Sequence, residues 1–206
     1  MKVLIGMPNT GKIPYQTVMS LFQLTRKMEH AILGLLESSS IHDARNTMAL
    51  DAIANGCDYL LFIDSDMVFE PDAFEKLMAM DADIATGVYY GRAGEHKPIV
   101  YKKLTPRSEP TEGNVIGAVA ENFTEIPEGT FEVAGCGMGM CLIKAEVLKK
   151  LCDMYQHSPF DPMDGFGEDL SFCVRATANG FKIKANSYIP LGHVGTRVYN
   201  KDDYRV

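Results

Sequence analysis

The chain has 206 residues, 46% of them hydrophobic and 23% charged, which is a globular composition and a length suited to one domain that needs no disulfide or metal to hold its core. Its net charge of −7 argues against a protein held to nucleic acid mainly by charge. Cys57, Cys136, Cys141, Cys152 and Cys173 form no CxxC pair, so reduced thiols are expected rather than a zinc knuckle or a disulfide framework. Met1 leads directly into Val3-Leu4-Ile5 with no leader-type segment, and no apolar run nears the roughly 20 residues of a membrane span, so a cytoplasmic protein without one is expected.

Along the chain, strands alternate with helices. Lys2–Gly6 reads as a buried strand that ends in the turn cluster Pro8-Asn9-Thr10-Gly11. Pro14 opens a predicted helix to Lys27, with Val18, Leu21, Phe22 and Leu24 as its apolar face. A strand over His30–Leu36, a helix over 42–54 closed by Asn55-Gly56, and a strand over Asp58–Ile63 follow. Pro71–Met80 reads as a helix and Ile84–Tyr90 as a strand, giving β-α-β-α-β-α-β in the first ninety residues and hence an α/β fold. Residues 102–130 are rich in proline, glycine and charge, which predicts loops and short strands. Beyond them come a glycine-interrupted strand region over Phe131–Ile143, helices over 145–154 and Glu168–Asn179, and a last strand over Lys182–Asn186.

The strongest single feature is Leu60-Leu61-Phe62-Ile63-Asp64-Ser65-Asp66. Two carboxylates at i and i+2 leave the carboxyl end of an apolar strand, where open α/β sheets place ligands. No cation stands beside them in sequence, and Mg²⁺ or Mn²⁺ would relieve their repulsion through oxygen ligands. The bland alternative is a solvated turn. Two enzyme classes carry this layout. Haloacid dehalogenase-type phosphatases have D-x-D-x-[TV], which Asp64-Ser65-Asp66-Met67-Val68 fits, with the first Asp as nucleophile. Glycosyltransferases of the GT-A fold use D-x-D to hold a metal against the diphosphate of a nucleotide sugar.

The remaining motifs favour the second class. Two strand-helix units precede Asp64, a late phosphatase-type G-D-x-x-x-D cluster is absent, Glu168-Asp169 stands at a helix start, and His193 lies in Pro190-Leu191-Gly192-His193 just past the last predicted strand. With Asp43-Ala44-Arg45-Asn46 and Gly135-Cys136-Gly137-Met138-Gly139 also in order, the chain resembles compact family 2-like GT-A glycosyltransferases. That resemblance implies one Rossmann-like domain with a mostly parallel central sheet, flanking helices and a small antiparallel section. Residues 1–100 would form its nucleotide-binding half and 101–206 its acceptor half.

Carried over by residue, the resemblance implies that Pro8, Asn9 and Thr10 border the base and that Arg45 and Asn46 reach base or phosphate. Asp64 and Ser65 would contact the nucleotide, and Asp64, Asp66 and His193 would hold Mn²⁺ or Mg²⁺ with its diphosphate, Asp66 and His193 as direct ligands and Asp64 through the ribose or a metal-bound water. Gly137, Met138, Gly139 and Phe166 would face donor sugar or acceptor, the glycines allowing close backbone approach. Asp169 would be the general base, with Glu168 orienting the site. The donor would be a nucleoside-diphosphate sugar, by default a UDP-sugar, and the product inverted rather than retained. The acceptor hydroxyl, on a glycan, small molecule, protein or modified DNA base, is open, its recognition expected from residues 102–130 and 155–167. Glu168 and Asp169 could instead merely favour a helix start, and His193 could be a surface histidine. Arg92, His96 and Lys97 form a basic turn that either meets phosphate or acceptor or closes a hairpin. Other readings are a non-catalytic nucleotide-sugar-binding module and a nucleotidyltransferase, whose glycine-rich signature the first strand lacks. A P-loop is disfavoured because Ile13 follows Gly11-Lys12 where a hydroxyl is required.

Overall fold

The fold comes from a computed structural model, which describes residues 1–92, 95–107, 118–163 and 165–203. In chain order the elements are β1 Val3–Asn9, α1 Tyr15–Thr25, β2 Ala31–Glu37, α2 Ile41–Ala54, β3 Tyr59–Ile63, β4 Met67–Phe69, α3 Ala73–Met78 and β5 Ile84–Val88. Then follow β6 Val100–Thr105, β7 Val119–Asn122, β8 Thr130–Val133, β9 Gly135–Cys136, β10 Met140–Lys144, α4 Ala145–Met154, α5 Glu168–Ala178, β11 Ile183–Val194 and β12 Val198–Tyr199. The main sheet runs β12-β11-β5-β10-β3-β1-β2, with β4 and β8 also joined to β11, and β7-β6-β9 form a small antiparallel sheet.

Alternation along the strands divides the core into two layers. On one face Leu4, Leu60 and Phe62 pack with Met48, Ala49 and Ala52 of α2, Val147, Leu148 and Leu151 of α4, and Phe172 and Cys173 of α5. On the other, Val3, Ile5, Met7, Leu61 and Ile63 pack with Leu21 and Leu24 of α1 and Ala73, Phe74 and Leu77 of α3. The result is the expected α/β fold with helices on both faces. All five cysteines are buried and free.

Three features differ from the sequence expectation. The central sheet is mixed: β2, β1 and β3 run parallel, as do β5 and β11, but β10 inserts antiparallel between β3 and β5. A strand from residues 101–206 thus pairs on both edges with strands from 1–100, and the two halves are interleaved in one sheet. The last strand extends to Val194, past Pro190 and Gly192. A register shift between Asn186 and Pro190 absorbs the proline, and β4, which the sequence did not mark, takes over the pairing at Leu191, Gly192 and His193. His193 is therefore a strand residue. Gly192 is needed there because a Cβ would lie 2.6 Å from Val198 Cγ1 on the returning β12.

The third difference is α1. It buries Thr17, Ser20, Leu21 and Leu24, whereas Val18 and Phe22, expected inside, face outward. Apolar residues occur all round this helix, so periodicity could not choose the face. The Ser20 hydroxyl is drawn inward as acceptor for the Phe69 N–H at 3.2 Å.

Candidate active site

A cleft of about 470 Å³ opens beyond the carboxyl ends of β1 and β3, the position open α/β sheets reserve for ligands. Pro8, Asn9 and Thr10 line one wall, Asp64, Ser65, Asp66 and His193 another, and Ser38, Ser39, Ile41 and Arg92 complete it. Seven residues expected from sequence therefore meet in one place. The serines, Ile41 and the wall-forming position of Arg92 add to them. Ser38, Ser39 and Ile41 owe their place to β2, which runs parallel beside β1 and delivers the following turn to the same edge.

The acidic turn is held from both sides. Asp64 N–H donates to Gly139 O at 2.9 Å, and Val194 N–H donates to Asp66 O at 2.7 Å. Arg92 Nη1 lies 2.7 Å from Asp66 Oδ2 and donates to Val194 O at 3.1 Å. His193 Nδ1 is 3.0 Å from Tyr90 O, which can only accept, so Nδ1 carries hydrogen. The remaining nitrogen, Nε2, faces Asp66 Oδ1 at 3.4 Å. In the neutral tautomer two lone pairs then confront each other, an arrangement that calls for a proton or a cation between them. Burial raises the Asp66 carboxyl, but the hydrogen bond and charge of His193, followed by the charge of Arg92, outweigh it and hold the group below the ordinary carboxylate range. Among the described residues no three His, Cys, Asp or Glu side chains gather closely enough to cage a metal. Asp66 and His193 fit a divalent cation only if a ligand completes its shell.

Behind Asp64 lies a second charged cluster. The Arg45 guanidinium, projecting from the first turns of α2, is 1% exposed. Its Nη2 donates to Asp64 Oδ1 at 3.0 Å, and its Nε stands 3.2 Å from Asp169 Oδ1 and 3.7 Å from Glu168 Oε1. The last two are ion-pair contacts without hydrogen-bond alignment, so Arg45 Nε and Asp169 Oδ1 lack an aligned partner among the described residues. The guanidinium also lies 5.1 Å from the centre of the Phe62 ring. Burial weakens the guanidinium's hold on its proton, but the charges of Asp64, Asp169 and Glu168 more than restore it.

Asp169 occupies the first turn of α5, and its Oδ2 accepts the Met138 N–H at 3.1 Å. Burial pushes its carboxyl up to about 7. Arg45 pulls against that rise, Asp64 and Glu168 add to it, and the Met138 N–H opposes it. Asp64 joins the two clusters, facing Arg45 while lining the cleft.

Several expected contacts are not made. Arg45 is shut away from the cleft and neutralises carboxylates rather than reaching a base. Asn46 is buried, donating to Asp161 Oδ1 at 2.8 Å and accepting the Phe160 N–H at 2.9 Å, so it anchors the loop after α4. Met138 is fully buried and Phe166 nearly so, and neither lines the cleft. Gly137 and Gly139 are required by a protein side chain: a Cβ at Gly137 would sit 2.0 Å from Tyr89 Oη, and one at Gly139 2.7 Å from Tyr89 Cζ. Tyr89, which the sequence reading missed, is buried against these glycines, receives the Gly139 N–H at 3.2 Å and packs edge-on against His193 at 5.5 Å. A glycine-x-glycine opposite an aromatic strand end was the available signal.

His96 Nδ1 donates to Gly91 O at 2.8 Å and its ring lies 4.8 Å from that of Tyr199. Of the basic turn, Ala93 and Gly94 lie outside the described residues, as do residues 108–117 and Asp164 of the segments expected to recognise acceptor, and residues 204–206 of the C-terminal tail.

No protein-family model and no curated protein sequence matches the chain. Solved structures do. The fold is similar to that of A197 from STIV, with 23% identity, 95% of this chain and 86% of that chain covered, and a TM-score of 0.63. It is also similar to TarS from S. aureus, with 18% identity, 91% of this chain and 58% of that chain covered, and a TM-score of 0.56. The structure of TarS in complex with UDP-GlcNAc gives 17% identity, 91% and 56% coverage, and a TM-score of 0.52. At these identities the likeness is one of fold, and it is to the GT-A architecture that the sequence motifs pointed to. The chain spans little more than half the length of the TarS 1-349 chain.

Proposed function

We propose that this protein is a metal-dependent glycosyltransferase that moves a sugar from a nucleoside-diphosphate sugar, by default a UDP-sugar, to an acceptor hydroxyl. One observation carries the reading: a cleft at the carboxyl edge of the sheet gathers Asn9, Ser38, Asp64, Asp66, Arg92 and His193. TarS, which shares the fold, is recorded in complex with UDP-GlcNAc. The first wall, Pro8 to Thr10 with Ser38 and Ser39, supplies turn backbone and hydroxyls for a base and ribose. The second supplies charge for a diphosphate.

Asp66 and His193 would hold Mn²⁺ or Mg²⁺ beside the diphosphate. When bound, the ion stabilises the negative charge that builds on the diphosphate as the bond to sugar C1 breaks. Arg92, already paired with Asp66, adds a second positive group beside the leaving diphosphate. Asp169, with its carboxyl near 7, is poised to take the acceptor proton around neutrality, and Glu168 and Arg45 fix its position. A base facing sugar C1 from the side away from the diphosphate gives inversion.

Thermal denaturation with a panel of nucleoside diphosphates, with and without Mn²⁺, tests this reading, since a ligand of the folded state raises the midpoint. The expected result is a Mn²⁺-dependent rise with one diphosphate that Asp66→Ala abolishes. No rise with any diphosphate, together with turnover of a generic phosphate ester abolished by Asp64→Ala, would replace it with the phosphatase reading.

A further inference from the structure

The outer face of α1 carries chemistry that the cleft does not explain. Tyr15, Val18, Met19 and Phe22 recur at i, i+3, i+4 and i+7 on the side opposite Thr17, Ser20, Leu21 and Leu24, which are buried. All four are exposed, Tyr15 by 74% and Phe22 by 55%. A helix on a water-facing surface normally makes that side polar. Exposed apolar residues also stand on β2, the edge strand of the main sheet. Leu33 and Leu35 pair in register with Ile5 and Met7, whose side chains pack with α1, and so lie on the same sheet face, and both are exposed. Nothing along this edge carries a lysine or proline that would blunt it.

Charge decides what this face suits. Residues 1–28 contain four basic side chains, Lys2, Lys12, Arg26 and Lys27, and no Asp or Glu, in a chain whose net charge is −7. Lys12 precedes α1, and Arg26 and Lys27 follow it, all exposed, so the apolar stripe is bracketed by cations. The Arg26 guanidinium lies 5.7 Å from the centre of the Phe22 ring, its charge at the rim of the stripe. Three acids stand at the rim beside these cations: Glu29 before β2, Glu37 at its end with its carboxylate against Gly11 next to Lys12, and Asp72, which is paired with Lys76 at 3.0 Å and also feels the charge of Lys27. Self-association is disfavoured by the same arithmetic. Two copies of α1 packed antiparallel about a two-fold axis would bring Lys12 of one toward Arg26 and Lys27 of the other, with no acid in the segment to relieve them.

We propose that the outer face of α1, with the exposed edge of β2, docks this protein onto an anionic lipid surface. The aromatic and aliphatic stripe enters the interface while Lys12, Arg26 and Lys27 meet lipid headgroups, which is how an interfacial amphipathic helix binds. No helix among the described residues is long and apolar enough to cross a membrane, so the docking is peripheral. Thr10, at the cleft wall, lies five residues before α1, which places the cleft near the lipid plane.

Flotation of the full chain with vesicles of phosphatidylcholine, with and without phosphatidylglycerol, tests this. The expected result is binding to the phosphatidylglycerol vesicles alone, weakened by added salt. Arg26→Glu with Lys27→Glu should lower partitioning at least tenfold, from about fivefold per basic charge, and Met19→Ser with Phe22→Ser by a similar factor. Urea unfolding unchanged in both variants would establish that the fold is kept. Absence of flotation, equal flotation with both lipids, or binding indifferent to these substitutions would overturn the proposal. So would a wild-type dimer in sedimentation velocity that Phe22→Ser dissociates, since it would give the face to a second copy. Vesicle binding needs no turnover, so its failure would leave the proposed glycosyl transfer untouched.

Discussion

Replacing Asp169 by asparagine should stabilise the protein in a pH-dependent way while abolishing transfer. An ordinary aspartate titrates near 3.9 in the unfolded chain, whereas Asp169 in the fold is raised to about 7. Below about pH 4 the carboxyl is protonated in both states and costs nothing. As pH rises towards 7 the unfolded chain releases its proton and the folded chain retains it, so stability falls over that interval and stays lower above it. Three units at 1.36 kcal/mol each set a ceiling of about 4 kcal/mol, and the shared charge of Arg45, Asp64 and Glu168 makes about 2–4 kcal/mol the working expectation. Asparagine keeps an oxygen for the Met138 N–H and leaves Arg45 two carboxylates. Urea unfolding of wild type and Asp169→Asn should therefore give a stability difference about 2–4 kcal/mol more favourable to the variant at pH 8 than near pH 4. Transfer should fall by 10²-fold or more. A difference that does not vary with pH, or a variant that loses ground as pH rises, would refute the reasoning.

Arg45→Met should destabilise the protein by about 3–5 kcal/mol at neutral pH, because Asp64, Glu168 and Asp169 lose their shared cation, and chemical denaturation would measure this. Gly137→Ala should cost about 1–3 kcal/mol through collision with Tyr89 Oη, and a double-mutant cycle with Tyr89→Phe should show the two positions coupled by more than 0.5 kcal/mol. Leu21→Ala should cost about 2–5 kcal/mol and Phe22→Ala under about 0.5, a contrast that checks by urea unfolding which face of α1 is buried.

How much of this was legible in the sequence varies with the kind of information involved. β3 and its acidic turn stood out because five apolar residues in a row, Tyr59 to Ile63, run straight into two carboxylates, the pattern of a strand covered on both faces. Pro8 to Thr10 and His193 were placed by strand ends and motif order, which the chain carries locally. Arg45 was legible as a residue of interest but not in its role. Its burial depends on α5 bringing Glu168 and Asp169 beside α2, a contact that no local pattern encodes. Gly137 and Gly139 were noticed as close-approach sites, yet the approaching group is Tyr89, which belongs to a strand end fifty residues earlier. β4 was invisible because three residues carry no period, and the full length of β11 depends on that missing partner. The outward face of α1 was misassigned because apolar residues line both sides, so only the tertiary fold chooses between Val18 and Ser20.

The central claim is that the cleft between Asn9 and His193 holds a nucleoside diphosphate on a cation shared by Asp66 and His193. Its most direct test is a crystal structure of the protein grown with UDP and Mn²⁺. The expected result is the base and ribose against Pro8 to Thr10 and Ser38, with the diphosphate and Mn²⁺ bridging to Asp66 Oδ1 and His193 Nε2. A cleft that stays empty at saturating ligand, or a diphosphate bound away from Asp66, would contradict it.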